Sequence, residues 1–134
     1  MTQSRPPHVS KKGPAPKRIR AYRRGLGAEH CAAWFLRLKG WRVLAQRYQT
    51  PVGEIDLIAR KRDVLAFVEV KARSDLASGL TAVTPKSQTR ISRAARLYLS
   101  RSSQDPNLTL RFDVVVIRPW RLPLHLANAF QAEG

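Results

Sequence analysis

The sequence predicts an α/β fold in which helices flank a mixed β-sheet, with the element order α-β-β-β-α-β. Three observations lead to this fold class. Two segments carry apolar residues at helical spacing, three short segments joined by tight turns alternate between apolar and polar residues, and a later segment is apolar on both faces. A chain of 134 residues has room for one domain, which we expect to span residues 24–134.

Residues 1–23 differ in composition from the rest of the chain. Four of the nine prolines and seven Lys or Arg residues lie here, and the first acidic residue is Glu29. Such a segment cannot bury an apolar face, so we predict a disordered basic arm. The arm either binds nucleic acid electrostatically or is an extension without a function. It lacks the apolar stretch of a secretory signal.

The first half of the domain is predicted to be one helix followed by an antiparallel meander. Gly25–Lys39 places its apolar residues on one broad stripe, and Gly40 ends the helix. Short turns at 50–53 and 61–63 then separate three alternating segments. The three predicted strands are Trp41–Tyr48, Glu54–Arg60 and Val64–Arg73.

The second half of the domain is predicted to add a loop, a second helix, a fourth strand and a short closing helix. Ser74–Ala82 has the composition of a loop, and Thr84 followed by Pro85 is typical of a helix start. The second helix is followed by a strand at Leu110–Ile117, whose last four residues are apolar, as in a central or parallel strand. We predict a short closing helix at Leu122–Gln131.

The charge of the chain indicates a polyanionic partner. Lys and Arg number 25 and Asp and Glu number 9, so the net charge is +16 and the isoelectric point is about 11.5. Nucleic acid is favoured over an anionic membrane surface or a charge that serves solubility alone. No apolar run is long enough to cross a bilayer. One cysteine, Cys31, excludes an internal disulfide, and we expect a reducing, cytoplasmic location.

The acidic residues are concentrated in the predicted meander. Four of the nine lie within sixteen residues, namely Glu54, Asp56, Asp63 and Glu69. The strand period of two puts Glu54 and Asp56 on one face, and it puts Glu69 and Lys71 on one face. Pairing of the two strands through the turn at 61–63 is expected to bring Asp56 close to Glu69.

Two adjacent carboxylates repel each other unless a cation lies between them. Mg²⁺ binds oxygen ligands and often uses one or two carboxylates together with water and phosphate. Lys71 would reach the same place, where it could orient a water molecule or hold a phosphate. The pattern therefore predicts a phosphodiesterase site that uses Mg²⁺ or Mn²⁺. The alternative is an ordinary strand pair with a solvent-facing Glu–Lys ladder.

These residues resemble a known motif. Asp56 followed by Glu69-Val70-Lys71 is similar to the acidic-spacer-acidic-x-Lys motif of the restriction-endonuclease-like superfamily, whose core also resembles the predicted element order. More closely, the chain between Arg24 and Phe130 resembles the YraN family of uncharacterised bacterial proteins, which are predicted to be endonuclease-like. The segments that carry this resemblance are Gly25–Glu29, Gly53–Ile58, Phe67–Arg73, Lys86 and Arg111–Val115.

The resemblance implies a metal-dependent endonuclease with a restriction-endonuclease-like fold. It makes Asp56 and Glu69 metal ligands and Lys71 the catalytic lysine. Glu29 is similar to the helix carboxylate that completes the metal site of archaeal Holliday-junction resolvases. From the residues alone, Glu29 could equally interact with the helix dipole. The resemblance favours DNA over RNA, includes branched DNA among the substrates, and implies a homodimer.

The second predicted helix carries the residues that we expect to contact nucleic acid. Lys86 and Gln88 lie at its start, where helix N-termini bind phosphate readily. Arg90 and Arg93 follow on its polar face, which is either a phosphate-binding stripe or a solvated surface.

Other acidic and aromatic residues have two interpretations each. Glu54 either supports the metal ligands or pairs with an arginine, and we favour the first. Asp113 is expected to be a structural acid that bonds to a turn or an arginine. The three tryptophans either stack on bases or pack in the core, which is the more common role. They are Trp34, Trp41 and Trp120.

A second function from a different class fits the same features. The chain could be a non-catalytic nucleic-acid-binding protein that keeps the nuclease-like fold. The intact set of Asp56, Glu69 and Lys71 favours the enzyme, because a protein that only binds would usually have lost one member.

Overall fold

Three antiparallel strands follow the first helix, as the sequence predicts, and a crossover through two helices leads to the last two strands. The computed structural model describes residues 16–102 and 105–132. The elements are α1 (Pro16–Leu38), β1 (Arg42–Thr50), β2 (Gly53–Lys61), β3 (Val64–Ala72), α2 (Leu76–Thr81), α3 (Pro85–Arg101), β4 (Thr109–Ile117) and β5 (Leu124–Phe130).

The five strands form one mixed sheet in the order β1-β2-β3-β4-β5. Only β3 and β4 are parallel, and the other neighbours are antiparallel. A parallel pair needs a long crossover, and α2 and α3 provide it. The predicted mixed sheet with flanking helices is therefore confirmed, and it is consistent with a restriction-endonuclease-like core.

Helices cover both faces of the sheet. On one face, α1 packs Ala32 and Leu36 against the β2–β4 surface around Val68. On the other face, α3 packs Ile91 against a cluster around Phe67. Burial of each large side chain contributes roughly 1.5–3 kcal/mol, so the two layers hold the strands from both sides.

Both long helices end or begin where local chemistry predicts. Before α3, the Thr84 hydroxyl accepts a hydrogen bond from the Ser87 amide at 3.2 Å, which caps the first turn. After α1, Gly40 has φ +96°, and the Trp41 amide donates to the Leu36 carbonyl at 3.0 Å. Glycine adopts this left-handed conformation without steric cost, so it terminates the helix.

The predicted closing helix at Leu122–Gln131 is wrong, because this segment forms β5. Its alanines and leucines suit a helix by propensity. However, β4 would otherwise leave its free edge unpaired, and pairing with β5 satisfies those backbone groups. The register shifts between Phe112 and Val114, and Asn128 takes a positive φ of 55° in the partner strand.

Two further boundaries differ from the prediction. The predicted loop Ser74–Ala82 contains the short helix α2, which Asp75 caps by accepting from the Ser78 amide at 2.8 Å. Helix α1 begins at Pro16 rather than Gly25, so the last part of the predicted arm has helical backbone. Residues 1–15 of that arm lie outside the described residues. Within the described chain, no helix has the length and apolar character needed to cross a bilayer.

Two glycines provide a matched test of this packing. At Gly53 a Cβ would lie 2.6 Å from the Arg90 carbonyl oxygen, so Gly53→Ala must displace the β1–β2 turn from α3. We expect it to lower the free energy of unfolding by about 1–3 kcal/mol. At Gly27 in α1 a Cβ meets nothing within 4 Å, so Gly27→Ala should raise this free energy by about 0.5–1 kcal/mol. Urea denaturation measures both, and equal effects would contradict the packing.

Candidate active site

The site is built where β2 and β3 separate. Their register runs from the turn as far as the pair Leu57–Val68. Beyond that pair, Asp56 Oδ2 accepts a hydrogen bond from the Val70 amide at 2.8 Å. A side-chain oxygen thus meets a backbone donor of the neighbouring strand, and this contact fixes the Asp56 carboxylate in the opening between the strands.

Two more carboxyl groups converge on Asp56. Glu69 comes from β3 and Glu29 from the buried face of α1, and each side chain is only 12% exposed. Burial, followed by the charge of Asp56 and a hydrogen bond to it, raises the pKa of Glu69 to about 9. Burial and repulsion by Asp56 likewise raise the pKa of Glu29 to about 7.

Two cations flank the three acids and partly offset their charge. Lys71 Nζ lies 3.5 Å from Glu69 Oε2, and the lysine side chain keeps 23% of its surface exposed. Arg47 Nη1 lies 3.4 Å from Glu29 Oε1, and Arg47 Nε lies 3.6 Å from Glu54 Oε2. Glu54 therefore has an arginine partner, which was the less favoured of the two sequence interpretations, and it reaches the cluster through that arginine.

Arg47 is the site residue that the sequence interpretation missed. The register of β1 with β2 runs through the pairs Gln46–Leu57 and Tyr48–Ile55, so Arg47 lies opposite Asp56. The turn at 50–53 was predicted, and counting back from it along both strands would have paired these two residues. Arg47 also has a φ of 52°, a costly conformation for a non-glycine residue that is often found at functional sites.

The donor chemistry of this cluster fits a hard divalent cation. Asp56 and Glu69 are adjacent carboxylates whose repulsion a divalent cation would relieve, and Mg²⁺ or Mn²⁺ takes oxygen ligands. Among the residues described, no group of three His, Cys, Asp or Glu side chains is already arranged around a common metal position. Two carboxylates, Asp56 and Glu69, therefore fit as ligands of a divalent cation, and Glu29 lies beside them. Water and phosphate oxygens would occupy the remaining ligand positions.

The structure thus brings together the four residues that the sequence placed at the centre of the site. Glu29, Asp56, Glu69 and Lys71 come from α1, β2 and β3 and meet at one end of the sheet. Their roles as metal ligands and as a catalytic lysine stay predictions.

The predicted nucleic-acid contacts on α3 lie outside this cluster. Lys86, Arg90 and Arg93 are exposed, and none of them forms an ion pair with the rest of the described chain. Gln88 instead donates from Nε2 to the Val83 carbonyl at 3.3 Å, next to the start of the helix. Arg90 lies beside the β1–β2 turn and lines a cavity there together with Glu54.

Asp113 is a structural acid with an arginine partner, as predicted. It is fully buried and accepts hydrogen bonds from Arg111 at 2.9 and 2.8 Å, from His125 Nε2 at 2.8 Å and from the Asn128 amide at 2.9 Å. Burial alone would raise the pKa of Asp113, but these hydrogen bonds outweigh it and lower the pKa to about 2. Of the three tryptophans, Trp41 is buried in the core, whereas Trp34 and Trp120 are exposed, and base stacking by these two stays a prediction.

Comparison with known sequences identifies the relatives of this chain. The sequence profile of the uncharacterised protein family UPF0102 matches residues 28–117, a range that includes the whole acidic cluster. The chain belongs to UPF0102, the YraN family. The family resemblance that was drawn from the sequence motifs is therefore confirmed.

Relatives in this family match the chain over most of its length. A UPF0102 protein of Rhodopseudomonas palustris (strain BisA53) is 51% identical over 119 residues, which cover 89% of this chain and 92% of the relative. UPF0102 protein BRADO0179 of Bradyrhizobium sp. (strain ORS 278) is 52% identical, and the match covers 88% of this chain and 84% of the relative. UPF0102 protein mlr4633 of Mesorhizobium japonicum is 50% identical, and the match covers 87% of this chain and 94% of the relative.

The raised pKa of Glu69 predicts a pH dependence of stability in EDTA. Between the unfolded pKa near 4.5 and the folded pKa near 9, the folded state binds more protons than the unfolded state. The free energy of unfolding therefore falls as pH rises through this range. Glu69→Gln should remove the decline between pH 7 and 9 and make the decline between pH 4.5 and 7 shallower, because only the part that Glu29 causes remains there.

The measurement is urea denaturation at several pH values. Asp63→Asn, which removes a charge in the exposed β2–β3 turn, is the control and should leave the decline as it is in the wild type. Parallel pH profiles of the wild type and Glu69→Gln would show that Glu69 is not held in its neutral form.

Proposed function

We propose that this protein is a divalent-metal-dependent endonuclease that hydrolyses phosphodiester bonds in nucleic acid, with DNA favoured over RNA. The observation that carries the proposal is the meeting of Asp56, Glu69 and Lys71 at one partly solvent-exposed position, with Glu29 beside them. Acidic clusters are common on protein surfaces, but this one is largely buried in a chain of net charge +16. An acidic cluster that is buried against such a background suits a cation and a phosphate better than it suits surface solvation.

Each residue has a role that follows from its position. Asp56 and Glu69 would hold Mg²⁺ or Mn²⁺, and Glu29 would add a further oxygen. A divalent ion bound there would polarise the phosphate and lower the pKa of a bound water molecule. Lys71, beside Glu69, would donate a hydrogen bond to the attacked phosphate and stabilise the charge that develops on it. Arg47 holds Glu29 and Glu54 in place through its two ion pairs.

The exposed cations of α3 support the binding of the substrate backbone. Lys86, Arg90 and Arg93 have no ion-pair partners among the described side chains, so they are free to contact phosphates. Binding of this kind releases counterions, and it should weaken steeply as the salt concentration rises.

Cleavage of a substrate panel tests the proposal directly. Labelled DNA and RNA single strands, duplexes, flaps, hairpins and junctions would be incubated with Mg²⁺, Mn²⁺ or EDTA, with the Lys71→Ala variant run in parallel. We expect metal-dependent cuts that Lys71→Ala does not make. Binding of the panel without any cleavage would favour the alternative, a non-catalytic nucleic-acid-binding protein with a nuclease-like fold.

Lys71→Ala should separate catalysis from binding. Loss of one preorganised donor to the developing charge lowers turnover by about a hundredfold or more. Affinity for nucleic acid in EDTA should change little, because Lys71 is one of 25 cationic residues. Lys86→Ala provides the contrast, since it should weaken binding and reduce the salt dependence. Equal losses of binding and cleavage in Lys71→Ala would argue against a catalytic lysine.

Asp56→Asn should abolish metal binding without breaking the fold. The amide oxygen of asparagine can still accept the hydrogen bond from the Val70 amide, but the charge that would hold the cation is gone. In EDTA the variant should be more stable than the wild type, because repulsion of Glu29 and Glu69 is relieved. Calorimetric titration with Mg²⁺ and thermal unfolding measure the two effects. Asp63→Asn is the charge-matched control, and heats of Mg²⁺ binding that match the wild type in Asp56→Asn would contradict the assignment.

A further inference from the structure

A cavity of about 370 Å³ lies at the end of the sheet that carries the candidate active site. Residues 72–74 after β3, residues 117–119 after β4, and Gly27 and Ala28 of α1 line it. Ala28 precedes Glu29 and Ala72 follows Lys71 along the chain, so the cavity and the acidic cluster share this end of the sheet, although no side chain of the cluster lines the cavity. The cavity thus lies at the carboxyl ends of the two parallel strands, where ligands commonly bind in α/β sheets.

The lining of this cavity combines apolar walls with arginine. Ala28, Ile117 and Pro119 contribute apolar surface, and Arg73 and Arg118 lie at its border. Arg118 donates from Nη2 to the Leu122 carbonyl at 2.8 Å. Its Nε is buried and has no hydrogen-bond partner within the described chain. Because buried donors in native proteins are almost always paired, an acceptor oxygen from a ligand is a reasonable partner for this group.

The turn that lines the cavity also carries an unusual tryptophan. Trp120 follows Pro119 directly, its side chain is fully exposed, and its φ is 57°. A positive φ is a rare outlier for so large a residue, and no packing contact explains it because the ring lies in solvent. Aromatic rings presented in this way stack on the bases of unpaired nucleotides.

We propose that the cavity and Trp120 form a subsite for unpaired nucleotides at the same end of the sheet as the candidate active site. The cavity takes one base, Arg118 Nε donates to an oxygen of that nucleotide, and Trp120 stacks on the adjacent base. This inference rests on the proposed nuclease function and narrows its substrate class. The substrate would be nucleic acid with unpaired bases beside the scissile phosphate, because a base within an intact duplex cannot reach a cavity without leaving the stack.

Binding measured in EDTA tests the subsite without requiring catalysis. The full chain is titrated with a fluorescently labelled DNA single strand and with the same sequence as a blunt duplex. Trp120→Ala should weaken binding of the single strand about fivefold or more and leave duplex binding unchanged. Trp34→Ala is the matched control, since Trp34 is also exposed but lies on α1 beside Arg37, and it should alter neither affinity.

A second variant closes the cavity from a position that tolerates a side chain. Gly27 lines the cavity, and a Cβ there meets nothing within 4 Å, so Gly27→Leu should fold normally while its side chain occupies the space. This variant should also weaken binding of the single strand and leave the affinity for the duplex unchanged. Circular dichroism and urea denaturation verify the fold of each variant.

The outcomes distinguish failure of the subsite from failure of the nuclease proposal. The subsite is overturned if Trp120→Ala and Gly27→Leu bind the single strand as the wild type does, or if they lose single-strand and duplex binding equally. If both variants show the selective loss but the wild type cuts no substrate with Mg²⁺ or Mn²⁺, the subsite stands and the nuclease proposal fails. If the protein cleaves intact duplex as fast as DNA with unpaired bases, nucleic acid with unpaired bases is not its preferred substrate class.

Discussion

The hydrogen bond between the Asp56 carboxylate and the Val70 amide is the contact on which the candidate site depends. It joins β2 to β3 at the point where their register ends, and so it holds a charged group in the gap between two strands. Glu29 and Glu69 are brought against that group by different elements. The arrangement gathers three carboxyl groups in a partly buried place, where ionising all of them costs free energy in the absence of a cation. The rest of the site, including its two flanking cations, reduces this cost.

Two acidic centres in this molecule show how differently the fold treats carboxylates. Asp113 has donors on every side, and its pKa is lowered to about 2. Glu69 is also buried, but burial and the charge of Asp56 outweigh the neighbouring Lys71, and its pKa is raised to about 9. The first centre is complete within the chain and stabilises the contact of β4 with β5. In the second, Lys71 and Arg47 offset the acidic groups only in part, and a strongly raised pKa of this kind is more typical of a functional site than of a purely structural one.

The charges of the whole chain separate into two kinds of surface. A net charge of +16 favours a polyanionic partner, and in the proposed function the exposed cations of α3 would contact its backbone. The acids are concentrated at the end of the sheet where β2 and β3 part. A phosphate drawn to the protein by its general charge would be repelled by these acids alone. A divalent cation between the two reverses that repulsion, which is why metal and substrate belong together in the proposed site.

The sequence by itself determined the order of the long helices and the first four strands, the end of α1 at Gly40, the start of α3 at Thr84 and the pairing that brings Asp56 near Glu69, but not the short helix α2. These features follow from local rules, because alternation of apolar residues and short turns leave few registers for a meander. The tertiary structure decided the rest. β5 forms because an open sheet edge outweighs helix propensity. The pairing of Arg47 with Asp56 follows from the predicted turn, but the ion pair of Arg47 with Glu29 depends on the packing of α1. The approach of Glu29 and the cavity beside it depend on how α1 packs across the sheet, and packing between distant segments leaves no local pattern in the sequence.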